Sequence, residues 1–512
     1  MTFGCTRAVA LEGLSGAPVE VECHIGDGLP AFTVGGLPDT ALRQSAERVR
    51  SSLVVLKQSV NQRRVMINLS PAAIPKHGTS YDVAIAVAVL ASLRSMPQDA
   101  CRGVTHLGEL ALDGRIRPVR GILPAVVAAA AHGFRHIVVP TANVGEARLV
   151  EGVRVSAFET LGELFDAYTA LSGEATLPEA PPVPVSPAGE RSQVDLADVA
   201  GQHEARVALE VAAAGGHHLM MSGPPGSGKT MLAERLVTIL PRLSDAAALE
   251  SLAVRSLLGA VDTKNGLDTT PPFIAPHHTA TMAALIGGGS GQVLPGSISQ
   301  AHHGVLFLDE APEFAASVLQ SLRQPLESGR VVIARARRSV TYPARFQLVL
   351  AANPCPCGMG FGKGLACRCR ATERMAYGAR LHGPLLDRVD IRIEVPPLTR
   401  SGLAAEVGER SSDVAQRVAQ ARAVQAERWG PSGWRLNSQV PGSVLRRRPW
   451  RLPPEETADL DRALDRGRIT VRGYDRTLRT AWTVADLRGR TTPGRAELAL
   501  GLMYRTAEGA RR

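Results

Sequence analysis

The sequence predicts an α/β protein made of two mixed α/β units and a C-terminal helical region. A glycine-rich loop at residues 222–230 lies between a short apolar strand and a helical pattern. A proline-rich segment without helical or strand periodicity lies upstream of that loop, and beyond residue 398 the pattern becomes helical and rich in arginine. We therefore expect a first domain at residues 1–172, a linker at 173–193, a loop-bearing core at 194–397 and a helical lid at 398–512.

Composition limits the classes of protein to which the chain can belong. At 512 residues with 45% hydrophobic content it is too long for one core, on a scale of about 150 residues per domain. Its longest apolar runs, at 84–90 and 125–131, are shorter than the roughly 20 residues that span a bilayer, and residues 1–20 lack a signal-peptide pattern. We expect a cytoplasmic protein without a membrane partner.

Charge and cysteine usage add two further expectations. The formal charge of +10 and the pI near 9.6 favour a polyanionic partner such as nucleic acid, although an arginine-rich proteome would give the same balance. Seven cysteines are few for this length and suit reduced thiols better than a disulfide framework.

Short β-branched runs alternate with helical patterns in the first domain. The runs lie at 65–69 and 136–140, and the helical patterns lie at 82–93 and 123–131. This alternation predicts a mixed α/β domain upstream of the linker.

The glycine-rich loop reads SGPPGSGKT and follows an apolar strand at 218–221. Its glycines let backbone N–H groups turn toward phosphate oxygens, and the following helix presents its positive dipole end. We expect Lys229 to reach the β- and γ-phosphates and Thr230 to ligate Mg²⁺. The sequence therefore predicts ATP and Mg²⁺ as cofactors, with the nucleotide held by Gly223, Pro224, Pro225, Gly226, Ser227, Gly228, Lys229 and Thr230.

A second apolar strand, Val305–Leu308, ends in Asp309 and Glu310. These carboxylates fall at the carboxyl edge of the expected sheet, where ligands of such folds bind. We expect Asp309 to hold Mg²⁺ through water beside the nucleotide, and Glu310 to orient and deprotonate the attacking water. Glu310 is therefore the predicted catalytic base.

Two further polar residues complete the predicted catalytic set of Lys229 and Glu310. Asn353 follows the strand at 348–352, where its side chain would hydrogen-bond the attacking water. Arg388 comes soon after a helical turn, and at a subunit edge it would reach a neighbour's γ-phosphate and stabilise transition-state charge. A solvated arginine paired with Asp387 or Asp390 is an equally open interpretation.

The loop, together with LDE at 308–310, AANPCPCG at 351–358 and GPLLDRVD at 383–390, resembles the magnesium-chelatase-like AAA+ proteins of the YifB/ComM family. The resemblance covers essentially the whole chain. It implies an AAA+ core with a helical lid and, for competence-type members, a hexameric ATP-dependent DNA helicase that promotes branch migration of recombination intermediates. It also places a nucleotide-contacting sensor-2 arginine at Arg472, with Arg479 as the second choice and an exposed helix face as the alternative.

A basic β-hairpin is predicted just before the third strand of the core. Runs at 331–333 and 339–342 flank Arg335, Arg337 and Arg338. Arginines at such a tip would grip DNA phosphates in a central pore without reading bases, giving salt-sensitive, sequence-independent binding to single-stranded or branched DNA. A solvated arginine-rich hairpin is the alternative.

Four cysteines, Cys355, Cys357, Cys367 and Cys369, form a CxC-x9-CxC pattern between residues 355 and 369. Four thiolates in a reducing compartment suit tetrahedral Zn²⁺. Because the spacing differs from the usual CxxC pairs, a reduced structural cluster is the competing interpretation.

Residues 1–170 resemble the Lon-protease-like domain that is fused to this family, most visibly in PKHGTSYD at 75–82. Ser80 falls at the position of the nucleophile, and Leu123 at the position of the activating lysine. Without a base to take its proton, a serine is a weak nucleophile. We therefore expect a noncatalytic scaffold.

Three functions are compatible with these observations. The first is a hexameric ATP-driven motor on DNA. The second is a motor like the magnesium chelatase ATPase subunit, which would remodel a protein partner, although the fused N-terminal domain and the cysteine cluster argue against it. The third is a regulatory module that nucleotide switches between shapes.

Overall fold

A computed structural model describes most of the chain. The described residues are 2–36, 40–74, 76–171, 176–182, 194–263, 265–289, 293–335, 338–362, 366–381, 385–400 and 408–506. Within these ranges, every helix is too short or too polar to cross a membrane.

The N-terminal domain is a mixed sheet with helices packed on it. Its strands are β1 (Thr2–Glu12), β2 (Ser15–Gly26), β3 (Ala31–Gly35), β4 (Arg64–Ser70), β5 (Thr105–His106), β6 (Glu109–Leu110), β7 (Ile116–Arg117), β8 (His136–Pro140) and β9 (Arg154–Phe158). Its helices are α1 (Thr40–Val55), α2 (Asp82–Ser92), α3 (Gln98–Arg102), α4 (Ile122–Ala131), α5 (Val144–Ala147) and α6 (Leu161–Thr169).

The sheet of this domain has the strand order β3-β4-β2-β1-β5-β8-β9, and β6 and β7 form a separate hairpin. Strand β2 is antiparallel to β1 and β4, whereas the pairs from β1 outward through β9 are parallel. Helix α2 is apolar on all sides and is buried along its whole length, as expected for a helix inside a core.

The central domain contains a five-stranded parallel sheet and two separate antiparallel strand pairs. Its strands are β10 (Leu219–Ser222), β11 (Phe273–Ile274), β12 (Gly287–Gly288), β13 (Leu294–Pro295), β14 (Val305–Leu308), β15 (Arg330–Arg335), β16 (Arg338–Pro343), β17 (Gln347–Ala352) and β18 (Ile391–Glu394). Its helices are α7 (His203–Gly215), α8 (Lys229–Ile239), α9 (Asp245–Ser256), α10 (Met282–Ile286), α11 (Ser297–Gln300), α12 (Ala316–Ser321), α13 (Arg323–Ser328) and α14 (Ala371–Ala379).

The central sheet has the order β11-β14-β17-β10-β18, and each neighbouring pair is parallel. Strands β14 and β17 are buried throughout, which explains their continuous apolar runs. Because all five strands point the same way, the loops after β10, β14 and β17 meet at one edge. The predicted α/β fold with a parallel AAA+ core is confirmed.

The C-terminal region is helical, as predicted. It comprises α15 (Ser411–Trp429), α16 (Gly442–Leu445), α17 (Pro454–Asp465), α18 (Val471–Leu487) and α19 (Arg495–Thr506). Trp429, Trp450 and Trp482 pack together at its centre, with ring centroids 4.6–6.2 Å apart. Helix α15 also contributes buried residues to the core of the central domain, so the lid is docked on the sheet.

Part of the predicted linker is packed on the N-terminal domain. Residues 176–182 run beside β9, where the backbone N–H of Ala180 donates to the carbonyl of Val155 at 2.8 Å. Leu177 and Ala180 are buried. The two apolar side chains fix this stretch although its proline content indicates an extended tether; the rest of the linker lies outside the described residues.

Candidate nucleotide site and basic hairpin

Lys229 lies at the centre of the candidate nucleotide site. It is the first residue of α8, and its Nζ donates to the carbonyls of Gly223 at 2.8 Å and Pro224 at 2.9 Å. The same Nζ donates to Oδ1 of Asn353 at 3.2 Å, which joins the loop after β10 to the end of β17. Burial lowers the pKa of Lys229, and the negative charges of Asp309 and Glu310 oppose that effect.

Thr230 and Asp309 form the pair that suits a magnesium ion. The Thr230 hydroxyl donates to Oδ2 of Asp309 at 2.7 Å, so oxygen donors from the loop and from the end of β14 are adjacent. Hydroxyl and carboxylate oxygens are ligands that Mg²⁺ accepts alongside water and phosphate. These two residues would hold the ion, which neutralises phosphate charge when it is bound.

Glu310 has an unusual backbone conformation and a specific partner. Its φ of 50° lies in the left-handed region, which is uncommon for a residue other than glycine. Its Oε2 lies 3.2 Å from Nδ1 of His278, and the His278 ring is partly buried. The contact fixes the direction of the predicted base beside the loop.

Sequence reasoning did not assign His278 to Glu310. The signal that would have found it is strand order: β11 is the neighbour of β14 in the sheet. The segments that follow these two parallel strands leave the sheet at the same edge, and His278 follows β11 as Glu310 follows β14.

The predicted basic hairpin is present as β15 and β16. The strands pair antiparallel with Arg335 opposite Arg338, so both lie at the tip, and Arg337 lies outside the described residues. Val331, Val340 and Tyr342 are buried. The hairpin therefore has an apolar base and an arginine-bearing end.

The four clustered cysteines lie together and are free thiols. Sγ of Cys355 is 3.4 Å from that of Cys357, and Sγ of Cys367 is 3.7 Å from both. All four Sγ atoms, including that of Cys369, lie within 4.8 Å of one another. Tetrahedral zinc with Zn–S bonds of about 2.3 Å places its sulfurs about 3.8 Å apart, so this arrangement fits the ion.

The cysteine cluster is adjacent to the nucleotide site. Cys355 follows Asn353 by two residues, and a Cβ at Gly358 would lie 2.5 Å from Cγ and Cδ of Pro225 in the phosphate loop. Backbone N–H groups of Met359 and Arg368 lower the pKa of Cys357 to about 6, which favours its thiolate form.

Family comparisons agree with this geometry. The model described as magnesium chelatase, subunit ChlI, matches residues 195–403. The models described as subunit ChlI of Mg-chelatase and as the ChlI C-terminal region match residues 21–143 and 408–505. An uncharacterized protein of Mycobacterium tuberculosis is 48% identical over 515 residues and covers 100% of both chains.

Two further relatives carry family names. Competence protein ComM of Haemophilus influenzae is 38% identical over 514 residues, which are 99% of this chain and 98% of the relative. YifB of Escherichia coli is 38% identical over 512 residues, with the same coverage. The chain belongs to the YifB/ComM family of magnesium-chelatase-like AAA+ proteins.

The N-terminal domain of this YifB/ComM protein resembles Lon proteases over part of their length. Lon protease 2 of Bacillus subtilis is 27% identical over 123 residues, which are 24% of this chain and 22% of the relative. Ser80 lines a cavity of about 260 Å³ together with Thr79 and Glu109. Leu123 is fully buried against Leu252 and Ala253 of α9, so an apolar contact occupies the position of the expected lysine.

Arg388 ends a single 3-10 turn, Leu386–Arg388, before β18. Its guanidinium forms an ion pair with Glu327 of α13, and its side chain is 12% exposed. Helix α13 leads directly into β15 of the hairpin. The assignment of Arg388 as an arginine finger stays a prediction.

The lid arginines occupy different environments. Arg472 is exposed in the first turn of α18, and Nε of Arg479 donates to the carbonyl of Val440 at 2.7 Å. One turn beyond Arg472, Arg476 forms a 2.6 Å ion pair with buried Asp390. Burial opposes ionisation of Asp390, but Arg476 and the nearby His217 ring, whose Nδ1 lies 3.7 Å from Oδ2, hold its pKa well below the usual range. Sensor-2 assignment to Arg472 stays a prediction, and sequence reasoning missed the Arg476 contact.

Glu310→Gln should retain ATP binding and lower kcat by about a hundredfold or more, because an amide cannot accept the proton of the attacking water. Steady-state hydrolysis and binding of a fluorescent ATP analogue measure the two quantities. Glu313→Gln, at an exposed carboxylate in the next turn, is the matched control. Near-normal hydrolysis by Glu310→Gln would remove Glu310 from its role.

His278→Ala should lower kcat about tenfold, because Glu310 loses the partner that orients it. His278→Gln keeps a hydrogen-bond donor and should recover part of the rate. The double variant with Glu310→Gln should be no slower than Glu310→Gln alone. Additive losses in this cycle would show that His278 acts independently of Glu310.

Proposed function

We propose that this YifB/ComM protein is a cytoplasmic, hexameric ATP-driven motor that acts on single-stranded or branched DNA, as a helicase and branch-migration factor at recombination intermediates. The observation that carries the proposal is the connection between the hairpin and the nucleotide site. Strand β16 ends at Pro343, β17 begins at Gln347, and the residue after β17 is Asn353, which contacts Lys229. The name of the Haemophilus relative, a competence protein, supports a DNA substrate.

Hydrolysis within one protomer is assigned to the residues at the sheet edge. Lys229 and Thr230 bind the triphosphate side, Asp309 supports the metal, and Glu310 accepts the proton of the attacking water. Asn353 contacts the same phosphate region. The contacts of Lys229 with Asn353 and of Thr230 with Asp309 support these assignments.

Arg388 is assigned to a neighbouring protomer's site. In the isolated chain its partner is Glu327, so a neighbour's γ-phosphate competes with that carboxylate for the guanidinium. Because Glu327 lies on α13 just before β15, loss of its ion pair with Arg388 would change a contact next to the start of the hairpin. The two ends of the hairpin are thus both linked to nucleotide-sensing residues.

Arg335→Ala, Arg337→Ala and Arg338→Ala together should weaken single-stranded DNA binding and reduce the slope of log K against log salt by about 2, since each lost phosphate contact removes about 0.7. DNA stimulation of hydrolysis by forked oligonucleotides should fall in parallel. A triple variant at exposed Arg447, Arg448 and Arg451 carries the same charge change and should behave as wild type. If the slope of log K against log salt is unchanged in the hairpin variant, DNA binds at a surface other than the hairpin tip.

A motor that remodels a protein partner is the second candidate. It is favoured by the match of the ATPase core to the magnesium chelatase subunit family. A rate of ATP hydrolysis that no DNA structure changes, but that a protein partner raises, would support this candidate over the DNA motor.

We further propose that Cys355, Cys357, Cys367 and Cys369 bind one structural Zn²⁺. The sulfur–sulfur distances and the free thiols support this assignment over a metal-free cluster. The ion would tie the segment after Asn353 into a fixed loop beside Pro225.

Protein purified without chelators should contain about one zinc per chain by elemental analysis, and Cys369→Ser should lose most of it. Arg368→Ser, at an exposed residue between two of the cysteines, should keep the metal. Wild-type protein without zinc, in which all four cysteines of the cluster are reduced thiols, would establish the metal-free cluster instead.

A further inference from the structure

The N-terminal domain contacts the base of the hairpin through its β1–β2 turn. Leu11 and Leu14 pack against a cluster formed by Leu257, Val340 and Tyr342 with Val293. Leu257 directly follows α9, and Val340 and Tyr342 belong to β16. Four separate parts of the chain therefore share one small apolar core.

Gly13 shows how close this contact is. Its φ is 63°, and a Cβ there would lie 2.8 Å from Cγ1 of Val340 and 3.4 Å from the carbonyl oxygen of Thr341. The turn thus lies directly on β16. Beneath it, the buried Tyr342 hydroxyl donates to the carbonyl of Val293 at 2.5 Å, which fixes the strand from its other side.

A second contact joins the start of α4 to the end of α9. The backbone N–H of Gly121 donates to the carbonyl of Ser256 at 3.0 Å. The buried carboxylate of Glu146 accepts from the N–H of Leu123 at 2.9 Å and from the Ser256 hydroxyl. Together with the packing of Leu123 on α9, these bonds make the face of the vestigial peptidase site a docking surface.

Helix α9 also contacts the segment that precedes β14. Glu250 lies 3.2 Å from Nε2 of His302 and 2.9 Å from Nε2 of His303. Nδ1 of His302 accepts from the backbone N–H of Arg345 at 3.0 Å, and burial lowers the pKa of His302 to about 4. The proton of this neutral ring is therefore on Nε2, so hydrogen bonds through Glu250 join α9 to both histidines.

We propose that the N-terminal domain is a brace that fixes the hairpin relative to the ATPase core, with Leu14 and Leu123 as positioning residues for DNA-stimulated hydrolysis. The inference rests on the proposed function of the hairpin. In this proposal the domain braces the hairpin and does not cleave peptides. Leu123, at the position of the activating lysine in the Lon resemblance, is apolar because this position packs against α9. The turn holds β16 directly, and α9 carries the same domain's contact to the segment that precedes β14, the strand that Asp309 and Glu310 follow.

Leu14→Asp tests the brace, because it places a charge in the apolar cluster beneath the hairpin. Amide hydrogen exchange in residues 331–342 should become at least about tenfold faster, while β10 and β17 keep their protection. Basal hydrolysis should stay within about twofold of wild type, and stimulation by forked DNA should fall about tenfold. Leu29→Asp, at a residue of the same domain that is 87% exposed, is the control.

Wild-type hairpin exchange in Leu14→Asp would overturn the brace. If Leu14→Asp does not fold, Leu14→Ala and Leu123→Lys serve in the same assay, and unchanged exchange in both would likewise overturn it. Leu123→Met should behave as wild type, because it keeps the apolar contact. If wild-type protein shows no DNA response, the proposed function fails, while the exchange result still decides whether the domain holds the hairpin.

Discussion

The hydrogen bond between Lys229 and Asn353 is the contact on which the arrangement of the site depends. It joins the phosphate loop to the end of β17, and β17 is the strand into which the basic hairpin leads. The parallel sheet makes the contact possible, because β10, β14 and β17 all end at one edge. A change at the triphosphate is therefore connected, through the length of β17, to the hairpin that precedes this strand.

The charged groups assigned to nucleotide chemistry have defined protein partners. Lys229 is held by loop carbonyls, Glu310 lies beside His278, and Arg388 pairs with Glu327. Binding of a triphosphate would exchange the carbonyl partners of Lys229 for phosphate oxygens, which are stronger acceptors. A ring would offer Arg388 a similar exchange across the subunit edge. Partner exchange of this kind, between discrete arrangements, is how a local event at a phosphate moves a neighbouring element.

Much of the fold and of the nucleotide site could be predicted because the signals are local. The phosphate loop and the Asp309–Glu310 pair each follow an apolar strand, and the parallel-strand rule then brings them together. The hairpin was predictable from two β-branched runs around arginines. The contacts of His278 and Arg476 were not, because they depend on strand order and on how the lid docks. The burial of Leu123 likewise depends on a helix more than a hundred residues away in sequence.

The N-terminal domain shows how a position identified by resemblance can have a structural environment of its own. The resemblance to Lon proteases places Leu123 where their activating lysine would lie, and a serine without such a base is a weak nucleophile. Only the structure shows that the same position packs on the ATPase core and that the β1–β2 turn lies on the hairpin.

Real-time separation of a fluorescently labelled DNA fork by the purified protein tests the central claim most directly. With ATP the strands should separate, whereas a non-hydrolysable analogue should support binding of the fork without separation. Steady ATP hydrolysis with no separation of any forked or branched DNA would contradict the account.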